Sequence, residues 1–134
     1  LASRLEGQSK PYGVKIVIGP KTAAQVEDEY VVLELDCIAV KGKKDGVKIY
    51  TVLGTHKWWI ENSAYVMETQ QHDKMLAMYR SRQFDMAIRY CNDLKGSFRG
   101  EMDHYYDLWI ERCAEMKSLN LPKDWDGVYR ATSK

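Results

Sequence analysis

The hydrophobic period of this chain changes once, near Thr55. Up to that point apolar residues come in short runs that alternate with polar ones, and beyond it they recur every three or four residues. A chain with both periods in separate blocks must build a sheet first and pack helices afterwards. In the first block, "VKIVIG" (residues 14–19) reads as a short strand, and "PKTAAQVEDEY" opens with proline and has helical composition. "YVVLELDCIAV" (residues 30–40) is strand-like, "KGKKDG" is rich in turn residues, and "VKIYTVLG" (residues 47–54) alternates again. These last three pieces predict a hairpin with a lysine-rich loop. Leu1 and Leu5, four apart among good helix formers, predict a helix ended by the glycine and proline of "GQSKPYG". The order helix, strand, helix, strand, strand defines an α+β class with a core too thin to be complete.

From residue 55 to 134 the pattern predicts a helical extension. In "FDMAIRYCNDL", Phe84, Ala87, Ile88, Cys91 and Leu94 fall on one helical face, and Tyr105, Leu108, Trp109, Cys113 and Met116 do the same in "MDHYYDLWIERCAEM". The stretch from about Trp58 to Arg82 is a less regular helix, and the three would pack as antiparallel hairpins. From about residue 121, "LPKDWDGVYRATSK" reads as an extended tail with a turn at Trp125-Asp126-Gly127, anchored by Trp125.

Twenty basic against nineteen acidic residues leave a net charge of +1, which provides no broad field for a nucleic acid polymer or an anionic membrane. Phosphate contacts would have to be local. No apolar run approaches the roughly 18 residues of a membrane span, and "LASRLEGQSK" lacks the apolar core of a signal peptide. Cys37, Cys91 and Cys113 are odd in number, widely spaced and set in apolar segments, which argues against a disulfide framework or a zinc site. The expected compartment is a reducing cytoplasm. Because Leu1 to Leu5 reads as a helix with neither methionine nor cap, the chain is expected to be a fragment of a longer protein.

"ASRLEGQSKPYGVKIVIGPKTAAQV" followed by "LDCIAVKGKKDGVKIYTVLG" resembles the second half of the catalytic domain of class III nucleotidyl cyclases, the adenylate and guanylate cyclases. The resemblance covers residues 1–54 and rests on the order and spacing of the "ASRLE" helix, the "VKGK" element and the closing "YTV" strand. Residues 55–134, with "YRSRQFDMAI", "WIERC" and "DWDGV", resemble a helical tail found after bacterial members. The resemblance implies a partial ferredoxin-like cyclase fold and conversion of a nucleoside triphosphate, ATP in preference to GTP, to cyclic nucleotide and pyrophosphate in bacterial signal transduction. It further implies in-line attack by the ribose 3′-hydroxyl on the α-phosphorus, assisted by two divalent ions, Mg²⁺ or Mn²⁺. By the same carry-over Arg4 stabilises the transition state and Lys41 contacts the triphosphate. A planar guanidinium that is always charged suits the first role, and a point charge on a flexible stem suffices for the second.

Lys43, Lys44 and Lys48 read as a solvated hairpin tip and an outward strand position. The family's asparagine, its metal-binding aspartates and most of its base-reading residues would fall before Leu1, so this chain alone is expected to be inactive. Family members resemble homodimers that share each site between protomers, and a membrane would be involved only through segments upstream. Two other readings stand beside the cyclase: a helical protein-interaction or regulatory module, and a degenerate cyclase fold without catalysis. His56, His72 and His104 lack metal-ligand spacing, Trp58-Trp59 and Tyr105-Tyr106 read as packing, and Glu27-Asp28-Glu29 reads as a solvated connection.

Overall fold

The computed structural model describes residues 12–39 and 45–130. The expected first helix, Arg4 and Lys41 lie outside the described residues, as do Lys43 and Lys44. The described chain is α+β. Its elements run α1 (Pro20–Val26), β1 (Tyr30–Ala39), β2 (Val47–Thr55), α2 (His56–Glu61), α3 (Ser63–Arg80), α4 (Phe84–Leu94), a 3₁₀ turn (Phe98–Gly100), α5 (Asp103–Ser118) and β3 (Tyr129–Arg130). They form two compact units. One runs to Glu61 and takes up the chain again at Val128; the other is Asn62–Gly127.

In the first unit the described sheet has the order β2-β1-β3. β1 and β2 are antiparallel from Tyr30↔Thr55 to Ile38↔Val47, and β3 is parallel to β1 through Ile38↔Tyr129 and Ala39↔Arg130. Between Glu34 and Asp36 the register advances two residues on β1 for one on β2, so Leu35 is an extra, bulged residue. Strict alternation would have put Asp36 on the same face as Glu34. The bulge reverses the parity and brings Asp36 and Ile38 onto the face of Leu33 and Leu35, where all four are buried with Ile49 and Thr51 of β2.

The segment expected as a strand over residues 14–19 joins the sheet at one residue. Ile18 exchanges both backbone hydrogen bonds with Tyr50 at 2.8 and 2.9 Å, on the edge of β2 away from β1. The next pairing position along the segment is Pro20, which has no N–H and starts α1, so the ladder stops there. Ile16 is half exposed on the near side.

In the second unit α3, α4 and α5 pack in sequence, α4 against both of its neighbours. The buried face of α4 consists of Phe84, Ala87, Cys91 and Leu94, spaced as the helical period requires. That of α5 consists of Tyr105, Tyr106, Trp109, Cys113 and Met116. Aromatic rings fill the middle. Tyr79 of α3 meets Trp109 edge-on at 4.6 Å between centroids, Phe84 at 5.6 Å and Trp125 at 5.4 Å, the geometry the ring quadrupoles prefer. Trp125 thus anchors the chain beyond α5. After it, Gly127 takes φ +80°, and a side chain there would press on Arg80 Cγ at 3.1 Å. Glycine satisfies both conditions.

The α3–α4 turn is held by Arg82, itself at positive φ, whose guanidinium donates to the carbonyls of Pro122 at 2.8 Å and Leu121 at 3.2 Å. No described helix is long and apolar enough to cross a membrane.

Trp109 is fully buried at the centre of this ring cluster. Trp109→Ala should therefore lower the unfolding free energy by about 3–5 kcal/mol, and Trp109→Phe by clearly less. Urea unfolding followed by circular dichroism measures both; a loss under about 1 kcal/mol for the alanine variant would show that the ring cluster is not the core.

Candidate functional site

The residues that sequence reasoning selected, Arg4 and Lys41, are outside the described residues. Tyr12 follows directly on the segment that carries Arg4. Its ring is buried, and its hydroxyl donates to Asp36 Oδ2 at 2.6 Å across 24 residues of sequence. The other carboxyl oxygen, Oδ1, accepts from the backbone N–H of Cys37 at 2.8 Å. Asp36 is 1% exposed and stands on β1. A buried carboxyl is costly without such partners, and here it is tied to two of them. Asp36 consequently ties Tyr12 to β1 across the sequence between them.

Neither Tyr12 nor Asp36 was distinguished in the sequence. Asp36 sits in "LELDCIAV", where alternation would turn it outward with Glu34, and only the bulge at Leu35 turns it in. Bulges carry no local signature in a run of leucines and acids. Lys48 is exposed on β2, 3.9 Å from Glu34 of β1, a surface ion pair of small energetic weight.

His56 and His72 are engaged structurally. His56 Nε2 lies 2.6 Å from the carbonyl of Glu27; a carbonyl can only accept, so Nε2 carries a proton and donates. That bond ties the start of α2 to the end of α1. His72 is fully buried, with Nδ1 2.8 Å from the Tyr106 hydroxyl and its ring against Tyr105. The indole of Trp58 covers Gly54, where an added Cβ would come within 2.8 Å of Cε3. Glu27, Asp28 and Glu29 are exposed. Among the described residues no group of three or more His, Cys, Asp or Glu side chains is placed to hold a metal ion.

A cleft of about 280 Å³ in the helical unit is lined by Arg82, Phe84, Asp85 and Lys117 among others. Its cations have partners within the protein. Arg82 binds the Leu121 and Pro122 carbonyls, and Lys117 grips Asp85 at 2.8 and 3.1 Å.

Cys91 and Cys113 lie on the buried faces of α4 and α5. Burial pushes the Cys113 thiol up to about 12 and raises that of Cys91 further, with Cys113 adding to the second shift. Both are inert protonated hydrophobes at neutral pH. No family model, no curated protein and no solved structure matches this chain.

Two outcomes follow from this geometry. Tyr12→Phe removes a hydrogen bond to a buried carboxyl and should cost about 1–3 kcal/mol in chemical denaturation; no change would mean that the Asp36 contact does not hold the segment. The two buried thiols stay protonated in the fold while their unfolded counterparts ionise near pH 8.5, so the unfolded state binds fewer protons above that pH. Stability should fall as pH rises from about 8.5, by up to ~1.4 kcal/mol per pH unit per thiol. Urea midpoints at pH 8 and 10 should show a shallower fall in Cys113→Ala than in the wild type.

Proposed function

We propose that this chain is the C-terminal half of a class III nucleotidyl cyclase catalytic domain, of ferredoxin-like fold, followed by a helical extension. In its complete form the enzyme turns a nucleoside triphosphate, ATP in preference to GTP, into the cyclic monophosphate and pyrophosphate. The observation that carries the reading is the ordered series "ASRLE", "VKGK" and "YTV" at the family's spacing. Supporting it is an antiparallel hairpin, β1–β2, that flanks the lysine-rich segment, with the strand-like residues before α1 bridging to β2 at Ile18.

In this reading the attacking 3′-oxygen forms a bond to the α-phosphorus while the bond to the pyrophosphate oxygen breaks, and negative charge builds on the phosphoryl oxygens. The guanidinium of Arg4 offsets that charge at the transition state. The Lys41 ammonium holds the triphosphate in both ground and transition states. The two divalent ions that the reaction class uses have no ligand set among the described residues. Their carboxylates would come from sequence preceding Leu1, and the finished site would combine two protomers.

The test is cyclic AMP and cyclic GMP production by the full-length protein that carries this chain. Arg4→Ala should lower kcat by on the order of 10²-fold, whereas Lys41→Ala should act more on KM. A folded, dimeric wild-type protein that makes neither product would overturn the reading in favour of a non-catalytic cyclase fold or an interaction module. An active protein indifferent to Arg4→Ala would remove Arg4 from the site.

A further inference from the structure

The helix α2, "HKWWIE", carries two tryptophans and an isoleucine in succession, yet none of its residues is buried. Ile60 is 68% exposed, Trp58 and Trp59 are half-buried, and Tyr30, which pairs with Thr55 just before the helix, is exposed as well. Single apolar residues at a surface are ordinary, whereas adjoining indoles and a branched aliphatic chain have the composition of an interface core. Trp58 covers the bare backbone of Gly54, and its own backbone N–H donates to Thr55 Oγ1 at 3.2 Å, which fixes the patch to the Tyr30–Thr55 end of the β1–β2 pair.

Carboxylates border this patch at both ends. His56 Nε2 donates to the Glu27 carbonyl at 2.6 Å and its backbone N–H to the Glu29 carbonyl at 3.1 Å, which sets the exposed triplet Glu27-Asp28-Glu29 at the start of α2. Glu61, also exposed, stands at the other end, and Lys57 is the one cation of α2.

We propose that α2 is the docking surface for a cationic amphipathic helix of a partner protein. The partner's apolar side chains would cover Trp58, Trp59 and Ile60, and its lysines or arginines would face the carboxylates at the two ends. Charge selects this occupant. Because both ends of α2 are acidic, a second copy docked by the same face would set carboxylate against carboxylate in either orientation. Anionic lipid and nucleic acid would meet the same repulsion. With a net charge of only +1 on the chain, the attraction for a cationic partner is local to this face. Opposite charge at the rim steers the encounter and fixes orientation, while the tryptophans supply large contact area with few rotatable bonds. The role of α2 does not depend on the cyclase reading.

The test is fluorescence anisotropy at low salt of a labelled helical peptide of leucine and lysine, roughly four turns long, titrated with the full-length protein. A leucine–glutamate peptide of the same pattern is the control, and it should bind about tenfold or more weakly than the lysine peptide. Ile60→Asp changes an exposed position and should leave the thermal midpoint in place while weakening binding by about tenfold or more. Replacing Glu27, Asp28 and Glu29 by their amides should weaken binding by about threefold or more and flatten its salt dependence. No binding of the lysine peptide, equal affinity for the two peptides, or an Ile60→Asp effect within about twofold would overturn the proposal. Self-association in sedimentation that disappears in Ile60→Asp would sink it in favour of a second copy, and binding to phosphatidylserine vesicles lost in the same variant would sink it in favour of a membrane.

Discussion

One extra residue in β1 sets the rest of the first unit. A regular strand would divide "LELDCI" into leucines on one face and acids on the other, leaving Asp36 in solvent. The bulge at Leu35 turns the strand's parity, so that Asp36 and Ile38 join Leu33 and Leu35 beneath the sheet. Asp36 can then accept the Tyr12 hydroxyl at 2.6 Å, which pins the chain entering the unit to the middle of β1. The same parity sets which residues reach the end of β1, where β3 pairs. Were the bulge absent, a buried carboxyl would become a surface one and the Tyr12 contact would have no partner.

The helical unit depends on a different interaction. Its cohesion comes from aromatic rings at edge-on distances around Tyr79 and Trp109, supplied by α3, α4, α5 and Trp125. These bury large area with few rotatable bonds, so a three-helix unit of modest length can hold a defined core. The caps contribute less: none of α3, α4 and α5 has a side-chain hydrogen bond at its N-cap. Packing, not local propensity, places the helix ends.

Much of this organisation was legible from period alone. The α4 and α5 faces follow directly from the spacing of Phe84, Ala87, Cys91 and Leu94 and of Tyr105, Trp109, Cys113 and Met116, because a helix that buries one face must repeat near 3.6 residues. β1 and β2 followed from β-branched runs flanking turn residues. What was not legible needed contacts distant in sequence. The strand read over residues 14–19 reduces to a single bridge because Pro20 ends the ladder, and β3 is two residues long with no pattern of its own. Asp36 was unremarkable as a letter. Its importance arises from Tyr12, 24 residues away.

The return of the chain at Val128 makes the first unit discontinuous in sequence. For an unfolded connection as long as Asn62–Gly127, closing β3 onto β1 would carry a loop entropy that a two-residue parallel pairing is too weak to offset. Once α3 to α5 have folded, most of that entropy has already been lost to the ring cluster, and the strand closes at little further expense. The turn at Gly127 and the packing of Trp125 against Tyr79 and Phe84 fix the last residues before Val128. The pairing at Ile38 and Ala39 therefore closes the first unit across a long sequence separation that the ring-cluster unit fills.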